Sequence, residues 1–216
     1  MEALLTPFAP LALPRPERGR SLRVRAGAME LVLEAMRGSL RLLCLDGSET
    51  RNWVLGLPED GELSLCCRAP RTPIVLAWTQ SVVLAPGGRV HGYAQAPLVP
   101  TLVFAHAGRQ HVLTELLPRQ LQAEWDAQAG TCVQRWPSPL AHRLPPPGNE
   151  LRAIVPLSLC NVTSALQTLT HVQIQIHDGE LRHLRGHAIA APRRLSLGRD
   201  RAVATHVRGT AWVVPT

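Results

Sequence analysis

The sequence predicts an all-β protein, either a β-sandwich or two packed β-sheet units, with at most one or two short helices. Apolar and polar residues alternate with a period of two along most of the chain, the pattern of strands that bury one face. Proline and glycine interrupt these runs at short intervals, where turns are needed. The apolar content is 45% against 18% charged, enough for a folded core, and it is aliphatic in character, with one Tyr and two Phe in 216 residues.

Residues 1–20 read as an N-terminal arm. The apolar run is broken by Pro7, Pro10 and Pro14, and Glu2 stands where a secretory leader carries positive charge. Leu22, Val24 and Ala26 then alternate with Arg23 and Arg25, and Met29, Leu31, Leu33 and Ala35 alternate with Glu30 and Glu34. A third strand over Leu40–Leu45 ends at the turn dipeptide Asp46-Gly47. Further strands are expected over 62–67, 74–78, 81–84, 89–94, 98–106 and 112–117, with Gly87-Gly88 as the turn between Ser81–Leu84 and Arg89–Ala94. "HAGRQH", His106 to His111, reads as a hairpin connection. The stretch Pro118–Gly130 predicts a helix, from a proline near its start, good helix formers and a terminal glycine. The cluster "WPSPLAHRLPPPG", 136–148, predicts a stiff extended connector. Strands follow over 151–160, 170–177 and 180–187, with a turn at Asp178-Gly179, and two more around Val203 and Val213. The expected organisation is therefore an arm (1–20), a sandwich-like unit (21–135), the connector (136–148) and a smaller β-unit (149–216) packed on the first.

Little here carries chemistry. Pro86-Gly87-Gly88-Arg89-Val90-His91 has the spacing of a cupin's second metal motif, but His91 is the first histidine of the chain, so the first motif of such a barrel has no ligands to offer. No phosphate loop of the lysine type exists in a chain without lysine, and no serine elbow is present. Five cysteines with no C-x-x-C spacing argue against a disulfide framework or a zinc ribbon and for reduced structural thiols in the cytoplasm, where the sequon Asn161-Val162-Thr163 carries no meaning. Adjacent Cys66 and Cys67 are expected on opposite faces of a strand, one buried and one half-exposed. His177, His183 and His187, drawn together across the Asp178-Gly179 turn, are the candidate metal ligands, and a metal-dependent enzyme built on them is the alternative function. No cofactor is implied, and no segment has the run of about 18 uncharged apolar residues that a membrane helix needs.

Charge is the remaining signal. The formal net charge is +7, carried by arginine alone, for which a GC-rich genome is the simplest cause. Arg193, Arg194, Arg199 and Arg201 lie in a C-terminal segment with few acids, and such a patch suits an acidic protein or an anionic surface. Nucleic acid is a second alternative, disfavoured because the C-terminal half is almost without aromatic side chains for stacking. The expected function is a non-enzymatic binding or regulatory module for an acidic partner.

Three segments, "PGGRVHGYAQAPLVPTLVF" (86–104), "LRAIVPLSLCNVTSALQTLTHVQIQIHDGELR" (151–182) and "RDRAVATHVRG" (199–209), resemble domain-of-unknown-function family 432. The resemblance implies a β-rich cytoplasmic protein and brings no reaction, cofactor or site residue. It leaves the arm through Arg20 without a counterpart.

Overall fold

A computed structural model describes residues 2–126, 131–148, 150–198 and 202–206. The fold is all-β: among the described residues the only helical element is a 3-10 turn at Asp178–Glu180. The first strands in chain order are β1 (Glu2–Leu4), β2 (Leu11–Ala12), β3 (Ser21–Ala26), β4 (Met29–Met36), β5 (Ser39–Asp46), β6 (Glu49–Leu55), β7 (Glu62–Arg68), β8 (Ile74–Leu84), β9 (Arg89–Pro97), β10 (Val99–His106) and β11 (Arg109–Glu115). They are followed by β12 (Gln122–Asp126), β13 (Thr131–Ser138), β14 (Arg152–Asn161), β15 (Gln167–Ile174), β16 (Arg182–Leu184), β17 (His187–Ile189), β18 (Arg193–Leu197) and β19 (Ala202–His206).

The chain gathers into two compact units, and neither is a continuous stretch. Unit 1 comprises Met1–Ala69, Leu98–Arg119 and Asn149–Leu151; unit 2 comprises Pro70–Pro97, Gln120–Gly148 and Arg152–Thr216. The proline-rich segment thus lies inside unit 2, and residues from both sides of the division expected from sequence belong to each unit. The cause is long-range strand pairing, which local composition does not encode.

Unit 1 holds a five-stranded sheet of order β1-β3-β4-β5-β6 and a four-stranded sheet of order β11-β10-β7-β2. The β3–β6 meander follows the alternation closely. Leu22 pairs with Leu33, Val24 with Leu31, and Leu31 and Leu33 with Cys44 and Leu42, so one face of β3, β4 and β5 is buried, while β6 at the edge buries none of its residues. Each such leucine contributes roughly 2 kcal/mol by leaving water. The opposite face carries cross-strand ion pairs, Arg23 with Glu30 at 2.7 Å and Arg41 with Glu34 at 3.8 Å. Asp46, at the end of β5, accepts a hydrogen bond from the Arg119 N–H at 2.7 Å and so ties the two sheets of this unit. The arm is woven in as well: β1 runs parallel to β3, β2 pairs with β7, and Leu5 and Leu13 are buried.

Unit 2 holds a sheet of order β12-β13-β8-β15 and a second one built around β14. β9 pairs along one edge of β14, while β17 and β18 share the other edge, against Ala153–Ile154 and Leu157–Asn161 respectively. The two sheets meet at Asn161, which is fully buried. Its Nδ2 donates to the carbonyls of Leu84 (3.0 Å) and Ala165 (2.8 Å), and its Oδ1 accepts from Thr163 N (2.9 Å) and Thr163 Oγ1 (2.7 Å). Its backbone exchanges hydrogen bonds with Gly87 N and Gly88 O, both at 3.0 Å. Pro86 and Gly87 (φ +70°) occupy the two central positions of a turn closed by Gly88 N to Ala85 O at 2.8 Å, the residue choice a type II turn demands. A further tie is Ser138, whose Oγ accepts the Gln95 N–H at 2.9 Å, beside Arg152, which bonds Gln95 Oε1 and lies 5.9 Å over the Trp136 ring.

Several expectations are corrected. The helix over 118–130 is replaced by β12, paired with β13; a single helix of that length is marginal alone, and a ladder partner outweighs local propensity. Ile74–Trp78 and Ser81–Leu84 form one strand, and β8 pairs with β13 and β15 while β9 pairs with β14, so Gly87-Gly88 joins two sheets and closes no ladder. The strand over 180–187 is broken: Asp178–Glu180 makes the 3-10 turn, and the hairpin falls instead at Arg185-Gly186, both at positive φ, between β16 and β17. β6 was not expected as a strand. The strand expected around Val213 lies outside the described residues.

Asn161→Ala should strip the buried carbonyl of Leu84 and the 163–165 turn of their partner, at about 1–3 kcal/mol for each buried group left unpaired. Urea unfolding should show a lower midpoint with an unchanged slope, and an unaltered midpoint would refute the assignment of Asn161 as the tie between the sheets.

Candidate functional site

The arginines chosen from sequence do not form one exposed patch among the described residues. Arg193 is 5% exposed. Its Nη2 donates to Glu180 Oε2 at 2.5 Å and to Gln175 O at 2.9 Å, while Nη1 has no protein acceptor. Glu180 Oε2 also accepts the His177 N–H at 3.2 Å. Arg193 is therefore an internal cation fastening β18 to the 3-10 turn, not one displayed to a partner. Arg194, next along the strand, is exposed, and Arg199 and Arg201 lie outside the described residues.

The three candidate metal ligands are separated by the β16–β17 register. His183 pairs with Ala188 and Leu184 with His187, which sets the two histidines on opposite faces of the ladder. His187 is buried, whereas His177 and His183 are exposed, and no group of three metal-binding side chains occurs among the described residues. His91 is an exposed residue of β9 opposite Ser158. Cys44, Cys66, Cys67 and Cys160 are free thiols. Cys66 and Cys67 are both half-buried, in place of the expected buried and half-exposed pair, with Sγ 3.6 Å from Thr101 O and Thr6 O. Burial pushes the Cys67 thiol up to about 12, with Cys66 adding to the shift. Burial also raises Cys44, against the lowering effect of the Arg51 guanidinium. These are the wrong directions for thiolate nucleophiles.

A different group of side chains converges in unit 1. Ala107 (φ +49°) and Gly108 (φ +72°) form the two-residue turn of the β10–β11 hairpin, a type I′ geometry. The register then sets His106 opposite Arg109 and Phe104 opposite His111, so all four side chains share one face. With Pro58 they line an open depression of about 490 Å³. Phe104 forms its buried floor and meets His106 edge-on, ring centroids 6.1 Å apart at 61°. Gly61 makes room for that floor: a Cβ there would come within 2.0 Å of Phe104 Cζ. His106 Nε2 lies 3.5 Å from Asp60 Oδ1. Arg109 and His111 are exposed and make no hydrogen bond or ion pair among the described residues. Arg15 of the arm donates to the carbonyls of Leu57 and Pro58 and fixes the wall of the depression. The arrangement is an apolar aromatic floor rimmed by hydrogen-bond donors, suited to an anionic group attached to an apolar body. Its signal was present in "FAHAGRQH": a two-residue turn makes the residues three apart and seven apart around it cross-strand partners.

The fold defines a class first, all-β chains built of two-sheet units. The model of a family described as a protein of unknown function, DUF432, matches residues 13–212, and the chain belongs to that family. The match takes in residues 13–20 of the arm, which the resemblance read from sequence had left out. No curated protein and no solved structure matches the chain.

Arg193→Met should destabilise the fold by about 3–5 kcal/mol, the usual cost of leaving one partner of a buried ion pair uncompensated. Retention on an anionic resin should change no more than loss of one charge implies. In a separate test, Cys67 should resist alkylation at pH 8 in the folded protein and react once urea unfolds it; prompt labelling of the folded protein would contradict its burial.

Proposed function

We propose that the chain is a non-enzymatic cytoplasmic binding module that recognises an acidic partner, through the face formed by Phe104, His106, Arg109 and His111. The observation that carries this reading is the exposed guanidinium of Arg109, unpaired among the described residues, standing beside two imidazoles over an aromatic floor. An arginine fork holds a carboxylate by two parallel hydrogen bonds, and the Phe104 and Pro58 surfaces accept the apolar part of the same ligand. The overall positive charge favours encounter with such a partner. A reducing compartment is supported by four free thiols and by Asn161, whose Nδ2 is buried and already donates twice, so the sequon cannot accept a glycan in the folded chain. Arg194 remains part of the proposal as an exposed cation of unit 2, while Arg193 is left out because it is buried.

Calorimetric titration of the whole chain with a glutamate-rich peptide tests this. Binding should weaken with rising salt, as an exposed charged contact requires, and Arg109→Glu should lower affinity about tenfold without moving the unfolding midpoint. Equal affinity of wild type and variant, or equal binding of a lysine-rich peptide, would exclude the site.

A further inference from the structure

We infer that the partner is an extended acidic segment that binds by adding a strand to the free edge of β11, an inference that rests on the functional reading above. β11 ends the order β11-β10-β7-β2, so one of its edges faces no strand among the described residues, and residues 109–112 are exposed. In a two-residue hairpin the pair closing the turn, here His106 and Arg109, exchanges both backbone hydrogen bonds. Parity then sends the N–H and C=O of Gln110 and Val112 away from β10, where they are open to a further chain. An exposed edge of this kind is a ready template for strand addition.

Register also specifies the added strand. Its residues opposite Gln110 and Val112 make the backbone hydrogen bonds. Those opposite Arg109 and His111 occupy non-hydrogen-bonded positions, where cross-strand side chains approach most closely. Carboxylates belong at those alternate positions, on the face shared with Phe104 and His106. The ladder register shifts between Leu102 and Val103, just beyond the pairing of Val103 with Val112. A bulge there turns the edge away, which limits the template to about four residues. A second copy of this chain is disfavoured as the occupant, because pairing β11 with itself would bring the cationic positions of two copies together.

The probe is a capped eight-residue peptide alternating Glu and Val, titrated into the full chain and followed by backbone amide NMR. N-methylation of the valine amides should lower affinity at least tenfold, because those amides pair with the edge. N-methylation of the glutamate amides should leave affinity within about twofold. The Gln110 and Val112 amides should become protected from exchange when the unmodified peptide binds. If both methylated peptides bind like the parent and binding still depends on Arg109, strand addition is wrong and the anion site stands. If the parent peptide perturbs no resonance between residues 104 and 112, the site and the inference fall together.

Discussion

A single buried amide organises unit 2. Asn161 ends β14, and its side chain fills every hydrogen-bonding position it has with groups from the ends of β8 and the 163–165 turn. Its backbone meanwhile pairs with the Pro86-Gly87-Gly88 turn that launches β9. Four strand ends from two sheets are thereby held at one point. A polar side chain at 0% exposure is tolerable because all of its capacity is satisfied; with any one bond missing, the desolvation cost would fall on the fold. The turn residues follow from this: proline and glycine at 86 and 87 supply the dihedral angles that bring the Gly87 N–H and Gly88 carbonyl to the asparagine.

The same economy of polar groups explains what the histidines and arginines do. Arg193 and Glu180 form an ion pair inside unit 2, and the attraction in a buried pair of this kind is largely offset by the cost of taking two charges out of water. His183 and His187 are divided by a ladder whose register sends them to opposite faces. At the β10–β11 turn the register has the opposite consequence. Two histidines, an arginine and a phenylalanine scattered over eight residues are brought to one face, and the missing side chain at Gly61 leaves room for the tip of the phenylalanine ring. One or two residues of register decide whether basic side chains become a site or mere decoration.

Much of the architecture was legible in the sequence because strand burial is a local property. The alternation in "LRVRA" and "MELVLEA" predicts the burial of Leu22, Val24 and Ala26 in β3 and of Met29, Leu31 and Leu33 in β4, although Val32 is buried on the other face and Ala35 only half-buried. Val172, Ile174 and Ile176 are buried as their spacing requires, although the strand stops at Ile174. Turn chemistry at Asp46-Gly47 was legible for the same reason: it depends on the dihedral preferences of two residues. The all-β class follows from these local patterns, whereas the family rests on the match over residues 13–212.

What the sequence alone did not determine is partnership. Periodicity says that a strand has two faces, but it is silent on which strand lies beside it; β9 finds β14 some sixty residues away. Local propensity in "PRQLQAEWDAQAG" favours a helix, and the strand forms because β13 offers a ladder that an isolated helical segment cannot match. The site obeys the same division. Arginine content and basic charge were determined by the sequence, while the burial of Arg193 and the exposure of Arg109 were decided by tertiary structure, because solvent access belongs to the packed surface and not to any stretch of chain.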